Sequence, residues 1–202
     1  MGHSKASKAA THARLVEAAA SRFKERGVDG ISLADLMKDL KLTHGGFYRH
    51  FDSRDALVTE ALDLALAQSN QSLRERLAVG GKSNVTRFVD FYLDEAHRDK
   101  RASGCAVAAL AGDAARRSSA TQAQFRESIA KNIEALTAAF DSRCSADARE
   151  RAIFVLSALY GALIMARAVG DAPLSGEILR GVRKRIAATA PARKTRAKIK
   201  NN

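Results

Sequence analysis

The chain has 202 residues, 46% of them hydrophobic, with two prolines, two cysteines and a net charge of +12, enough apolar material for one large domain or two small ones and too little cysteine for a disulfide framework. No stretch approaches about 18 uninterrupted apolar residues and the N-terminus has no apolar leader, so neither a membrane span nor export is expected, and a reducing cytoplasm is the predicted location. The charge divides as +2 over residues 1–60, +5 over 61–190 and +5 over 191–202, which favours a polyanionic partner without concentrating the charge in one patch.

Residues 1–10 are small, polar and basic, and read as a disordered arm in which Lys5 and Lys8 could reach a minor groove. A first helix is predicted over 11–26, with Leu15, Ala18, Ala19 and Phe23 on its buried stripe and Gly27 as a left-handed cap. Val28-Asp29-Gly30 makes a turn. Ser32 with Asp35 three residues later resembles a capping box, and Leu33, Leu36, Met37 and Leu40 then share one helical face. After the short link Lys41-Leu42, Thr43 is a second N-cap, and Phe47 and Phe51 anchor a third helix. Between the anchors the chain offers His44, Gly45, Gly46, Tyr48, Arg49 and His50 outward. Helix, tight turn and short helix with donors on its outer face is the helix-turn-helix pattern.

The run Gly-Gly-Phe-Tyr-Arg-His-Phe at 45–51, followed by Asp-Ser-Arg-Asp-Ala-Leu at 52–57, resembles the TetR family of transcriptional regulators, and Leu15-Val16-Glu17-Ala18-Ala19 through Phe23 and Gly27 fits that family's first helix. The resemblance is strong over about residues 12–62. It implies that the third helix enters the major groove of a double-stranded DNA operator. His44 and Arg49 are long enough to read base edges, and Gly45 and Gly46 let the backbone come close. Ser32, Thr43, Tyr48, His50 and Arg54 are expected on phosphates. Family members often carry Thr, Ser or Ala where Gly46 stands, so one side-chain contact is missing here.

A long fourth helix is predicted from Asp52 or Ser53 to about Leu77, ended by Gly80-Gly81-Lys82-Ser83-Asn84. A fifth is expected over 85–98, a polar loop over 99–104, a sixth helix from Cys105 to Arg116, a seventh over 121–143, an eighth over 146–169 and a ninth over 174–189, before Pro191 and a basic tail. The expected fold is all-α with about nine helices. A helix-turn-helix domain (11–52) precedes a helical bundle for ligand binding and dimerisation (53–190), between the arm (1–10) and a disordered tail (191–202).

The eighth helix is apolar on nearly every side and so must be covered on several. With the family's habit of pairing its last two helices, this predicts a homodimer through Ala158, Gly161, Ala162, Met165, Ile178 and Val182. The resemblance also implies a small-molecule effector within the bundle, near Phe88, Tyr92, Cys105, Phe125 and Tyr160. Cys105 reads either as a small buried hydrophobe or as a thiol that senses oxidants or electrophiles. No phosphate loop, nucleophile elbow or zincin motif is present, so neither an enzyme nor a cofactor or metal site is expected. The competing class is a basic amphipathic module whose ninth helix and tail bind membrane or RNA. Under the regulator reading the partners are operator DNA, an effector and a second copy, with no membrane.

Overall fold

The computed structural model describes residues 5–78, 84–141 and 144–188. They form ten α-helices and one 3-10 turn, with no strand: α1 (Lys5–Arg26), α2 (Leu33–Asp39), α3 (His44–Phe47), α4 (Arg54–Ala78), α5 (Asn84–Tyr92), α6 (Glu95–Asp99), the 3-10 turn Arg101–Ser103, α7 (Ala106–Ala114), α8 (Ser119–Phe140), α9 (Ala146–Ala168) and α10 (Pro173–Ala188). The expected basic tail (191–202) and the glycine break at 80–81 lie outside the described residues.

Two boundaries differ from the sequence reading for local reasons. α1 begins at Lys5 rather than Thr11, so most of the supposed arm is helix. Lys5-Ala6-Ser7-Lys8-Ala9-Ala10 holds good helix formers and neither Gly nor Pro, so the helix propagates backwards at little cost. The single helix expected over 85–98 is cut in two at Asp94. This residue takes an extended conformation and its side chain accepts from Ala96 N at 2.8 Å, which restarts the chain as α6. The cut raises the count from nine to ten.

The helix-turn-helix is locally specified. Ser32 Oγ accepts from Asp35 N at 3.1 Å, capping α2. α2 closes with Leu42 N on Met37 O (2.9 Å) and Lys41 N on Lys38 O (3.0 Å), the paired bonds of a Schellman motif. Lys41 occupies its left-handed position at φ 56°, where glycine is the usual choice. Thr43 Oγ1 accepts from Gly46 N at 3.3 Å and caps α3.

Two apolar cores result. The first joins α1, α2 and α3 to the N-terminal half of α4, to α7 and to Phe125 of α8. The second gathers Leu73 of α4 with α5, Leu136 of α8, α9 and α10. α4 therefore runs from one core into the other. Cys105 and Tyr160 pack against both, at the seam.

α9 is long and apolar enough to cross a membrane by length and composition. In this fold one side of it is core, through Val155, Leu156, Leu159, Ala162 and Leu163, while Ile153, Phe154, Ile164 and Met165 are exposed on the other.

Candidate functional sites: the helix-turn-helix face and a pocket between the two cores

Phe47 and Phe51 are buried and stacked, with ring centroids 5.4 Å apart, and they hold the α3 segment against α1 and α4. Beyond Phe47 the segment continues as turns, with His50 N bonded to Phe47 O at 2.8 Å. Tyr48 is 59% exposed and meets Phe47 edge-on. Arg49 is exposed beside it. A Cβ added at Gly45 would meet nothing within 4 Å, whereas one at Gly46 would lie 3.3 Å from the Thr43 cap hydroxyl. Packing therefore gives a reason for glycine at 46 and none at 45. His44 opens α3.

Two predicted phosphate donors, Ser32 and Arg54, are otherwise engaged, and a third, His50, is half-buried. Ser32 Oγ donates to Asp35 Oδ2 at 2.6 Å. The His50 ring is half-buried, its Nδ1 has no hydrogen-bond partner, and burial foremost, then His12, Lys8 and Arg49, lowers its pKa. Arg54 turns inward. Its Nη2 donates to Val28 O at 2.5 Å and to Ile31 O at 3.3 Å, and Nη1 lies 3.6 Å from Asp29. The same turn is held from the other side by α7, where Asp113 Oδ2 accepts from Val28 N at 3.1 Å, and by Arg117, which pairs with Asp29 at 2.6 Å. Arg54 thus fastens the α1–α2 turn to the start of α4. His12 was missed by the sequence reading. It stacks on Phe51 at 4.4 Å and places Nε2 2.7 Å from Glu60, tying α1 to α3 and α4.

A pocket of about 640 Å³, open to solvent on one side, lies at the seam of the two cores. Phe88, Tyr92, Cys105 and Tyr160 line it. Phe125 does not; it packs in the first core, because the N-terminal half of α8 lies against α4 and α7. Two polar residues that periodicity hid take part instead: Lys24, from α1, and Asn132, one turn from Ser128 on the buried side of α8. Lys24 is only 7% exposed, and burial lowers its pKa, with Cys105 opposing weakly. Asn132 Nδ2 donates to Tyr160 Oη at 3.1 Å; among the described residues Asn132 Oδ1 has no hydrogen-bond partner, and Tyr92 Oη has only the Cys105 thiol beside it. Burial first, then Cys105, raises the pKa of both tyrosines. His97 sits beneath, its Nδ1 2.8 Å from Tyr92 O, and burial lowers its pKa. At the rim the Arg76 guanidinium lies 3.3 Å from the Phe91 ring centroid. The α1 wall, through Glu17, Ser21 and Lys24, makes the first helix of the helix-turn-helix part of the cavity.

Of the residues predicted at a dimer interface, Met165 is 56% exposed, and Gly161 is half-buried with open space where a Cβ would stand. Ala162 is 3% exposed and belongs to the second core, so it faces inward. Ala158, Ile178 and Val182 are half-buried and flank that core. The outward stripe of α9 is Phe154, Ser157, Gly161, Ile164 and Met165; on α10 the outward positions include Leu174 and Gly181.

Residues 15–61 match the model described as "Bacterial regulatory proteins, tetR family", and residues 82–176 match "Transcriptional regulator LmrA/YxaF-like, C-terminal domain". An uncharacterized HTH-type transcriptional regulator of Mycobacterium tuberculosis strain H37Rv is 28% identical, over 89% of this chain and 96% of its own. Two solved structures share the fold: the reduced form of E. coli NemR (TM-score 0.76, 21% identity, 90% of this chain and 98% of that one) and a TetR transcriptional regulator from Chloroflexus aurantiacus (TM-score 0.77, 23%, 90% and 94%).

Proposed function

Since the chain belongs to the TetR family of transcriptional regulators and carries that family's DNA-binding helix-turn-helix, we propose that it is a homodimeric, cytoplasmic repressor, released from a near-palindromic operator when a small molecule fills the pocket between the two cores. Arg49 and His44 read base edges, and Gly45 admits the sugar-phosphate backbone, since nothing within the chain requires glycine there. Thr43 and Tyr48 contact phosphates. Ser32 and Arg54 act instead through the positions they impose on α2 and on the α1–α2 turn. Two copies meet through the outward stripe of α9 and the adjoining face of α10, whose glycines at 161 and 181 allow close approach.

The observation that carries the switch is that α1 walls the cavity. An occupant touches the helix-turn-helix domain directly, and a ligand moves an equilibrium only by its differential affinity for the two states. The test is fluorescence anisotropy with a selected operator. Arg49→Ala should weaken specific binding by about 1–3 kcal/mol and relax one base position. An unchanged sequence preference would remove Arg49 from base reading.

One observation favours a second trigger. Cys105 lines the cavity, so an electrophile that enters would meet a thiol. Equal operator release from wild type and Cys105→Ser after mild quinone treatment would leave Cys105 as a packing residue. The membrane- or RNA-binding alternative predicts attachment to anionic vesicles or to RNA in place of a palindromic duplex.

A further inference from the structure

Resting on that reading of the cavity as the effector site, we propose that its occupant is a small organic monocarboxylate with an apolar body, the carboxylate held by Lys24, Tyr92 and Tyr160. Lys24 carries the argument first. It is 7% exposed, lines the cavity, and makes no ion pair or hydrogen bond with any described residue. Most of the side chain is buried without a counter-charge, which disfavours its charged form, and its ammonium reaches the pocket, where an anion would pair with it. Two further polar groups are incompletely paired. Tyr92 is 4% exposed and Asn132 2% exposed; among the described residues Asn132 Oδ1 has no hydrogen-bond partner, and Tyr92 Oη has only the Cys105 thiol beside it, a weak acceptor. Tyr160 Oη accepts from Asn132 Nδ2, which leaves its own hydrogen to give. Lys24, Tyr92 and Tyr160 come from three helices (α1, α5 and α9), and each lies within electrostatic reach of Cys105.

A buried-stem lysine and two tyrosines whose rings lie 6.1 Å apart, all lining one pocket, suit an acceptor-rich group bearing negative charge. A carboxylate satisfies all three. Asn132 Oδ1 would take a hydroxyl or amide hydrogen on the ligand. Lys24, Arg76 and Lys100 line the pocket together with Glu17 and Asp94, three positive charges against two negative, an excess of one that suits a monoanion. Phe88, Leu73 and Phe91 supply the apolar walls for the rest of the molecule, and the volume suits a compound of ordinary metabolite size.

The experiment follows displacement of a neutral fluorescent dye, N-phenyl-1-naphthylamine, from the full-length protein. Benzoate, 4-phenylbutyrate and octanoate are compared with their amides, which keep the body and lose the charge. The acids should displace the dye at concentrations at least tenfold below the amides. Lys24→Met should abolish that preference while leaving dye affinity and fold intact, and Tyr92→Phe should reduce it. Should Lys24→Met fail to fold, the acid–amide comparison on wild type still decides. If amides compete as well as acids, the carboxylate assignment is wrong and the cavity stands as a neutral-ligand site. If the dye does not bind, and blocking the cavity with Ser72→Phe changes neither dye fluorescence nor compound-induced thermal shifts, the cavity is not a ligand site at all.

Discussion

Replacing Arg54 with alanine separates two roles that the sequence alone cannot. A guanidinium at the start of α4 invites a phosphate contact, yet here it donates to Val28 O at 2.5 Å and Ile31 O at 3.3 Å, beside residues that are 0% and 4% exposed. A hydrogen bond from a charged donor contributes about 1.5–3 kcal/mol. The longer bond adds less, and the pair with the largely exposed Asp29 adds about 0–1 kcal/mol. A loss of about 2–3 kcal/mol is therefore expected for Arg54→Ala, which for a chain of this size lowers Tm by roughly 5–10 °C. Arg54→Lys keeps the charge but cannot span two carbonyls, so it should recover little. Thermal melts followed by circular dichroism measure the first effect. The salt dependence of operator binding measures the other role: a lost phosphate contact reduces the slope of log K against log salt by about 0.9. The structure predicts a large fall in Tm with an unchanged slope. An unchanged Tm with a slope reduced by about one would refute the clamp and restore Arg54 to the DNA.

Gly45→Ala should hold or raise thermal stability, by up to about 1 kcal/mol from helix propensity, because its Cβ enters open space; operator affinity should nevertheless fall. Equal affinity for the two proteins would mean that the DNA backbone does not approach there. Ile164→Glu should yield folded monomers in light scattering with poor operator binding, since Ile164 is exposed in the single chain, whereas a charge at the buried Ala162 should unfold the protein; a dimer unaffected by Ile164→Glu would move the interface elsewhere. His97 has a lowered pKa through burial, so as pH falls below about 6.5 the unfolded state takes up the proton first and stability declines. Chemical denaturation of His97→Asn should show a shallower acid-side decline than wild type, and identical slopes would discount the burial of His97.

What could be read in advance was local. Ser32 with Asp35, Thr43 with Gly46, and the Phe47–Phe51 pair lie within four residues of one another, so chain order and capping chemistry specify them. Lys41 shows the limit even there, since nothing about a lysine announces φ 56°; the flanking Schellman bonds impose it. The inward turn of Arg54 was hidden because its acceptors lie 23 and 26 residues away, on carbonyls whose direction only the folded turn defines. Gly161 and Ala162 differ by one position, about 100° around a helix. In a helix apolar on nearly all sides no period tells which of them faces the core. Phe125 and Asn132 fail for a related reason: apolar spacing along α8 marks a buried stripe but not which of two cores each part enters, and a polar residue on that stripe leaves no periodic signal. Lys24 is the same case on α1.

A dimer of the proposed kind reads a two-fold duplex through the α3 segment. Its most direct test is in vitro selection of bound duplexes from random DNA, with the stoichiometry of the selected complex measured by light scattering. The expected outcome is enrichment of a near-palindrome, half-sites about one helical turn or somewhat more apart, bound by two chains or a multiple of two. Enrichment of a single unrepeated site bound by one chain, or no enrichment at all, would contradict it.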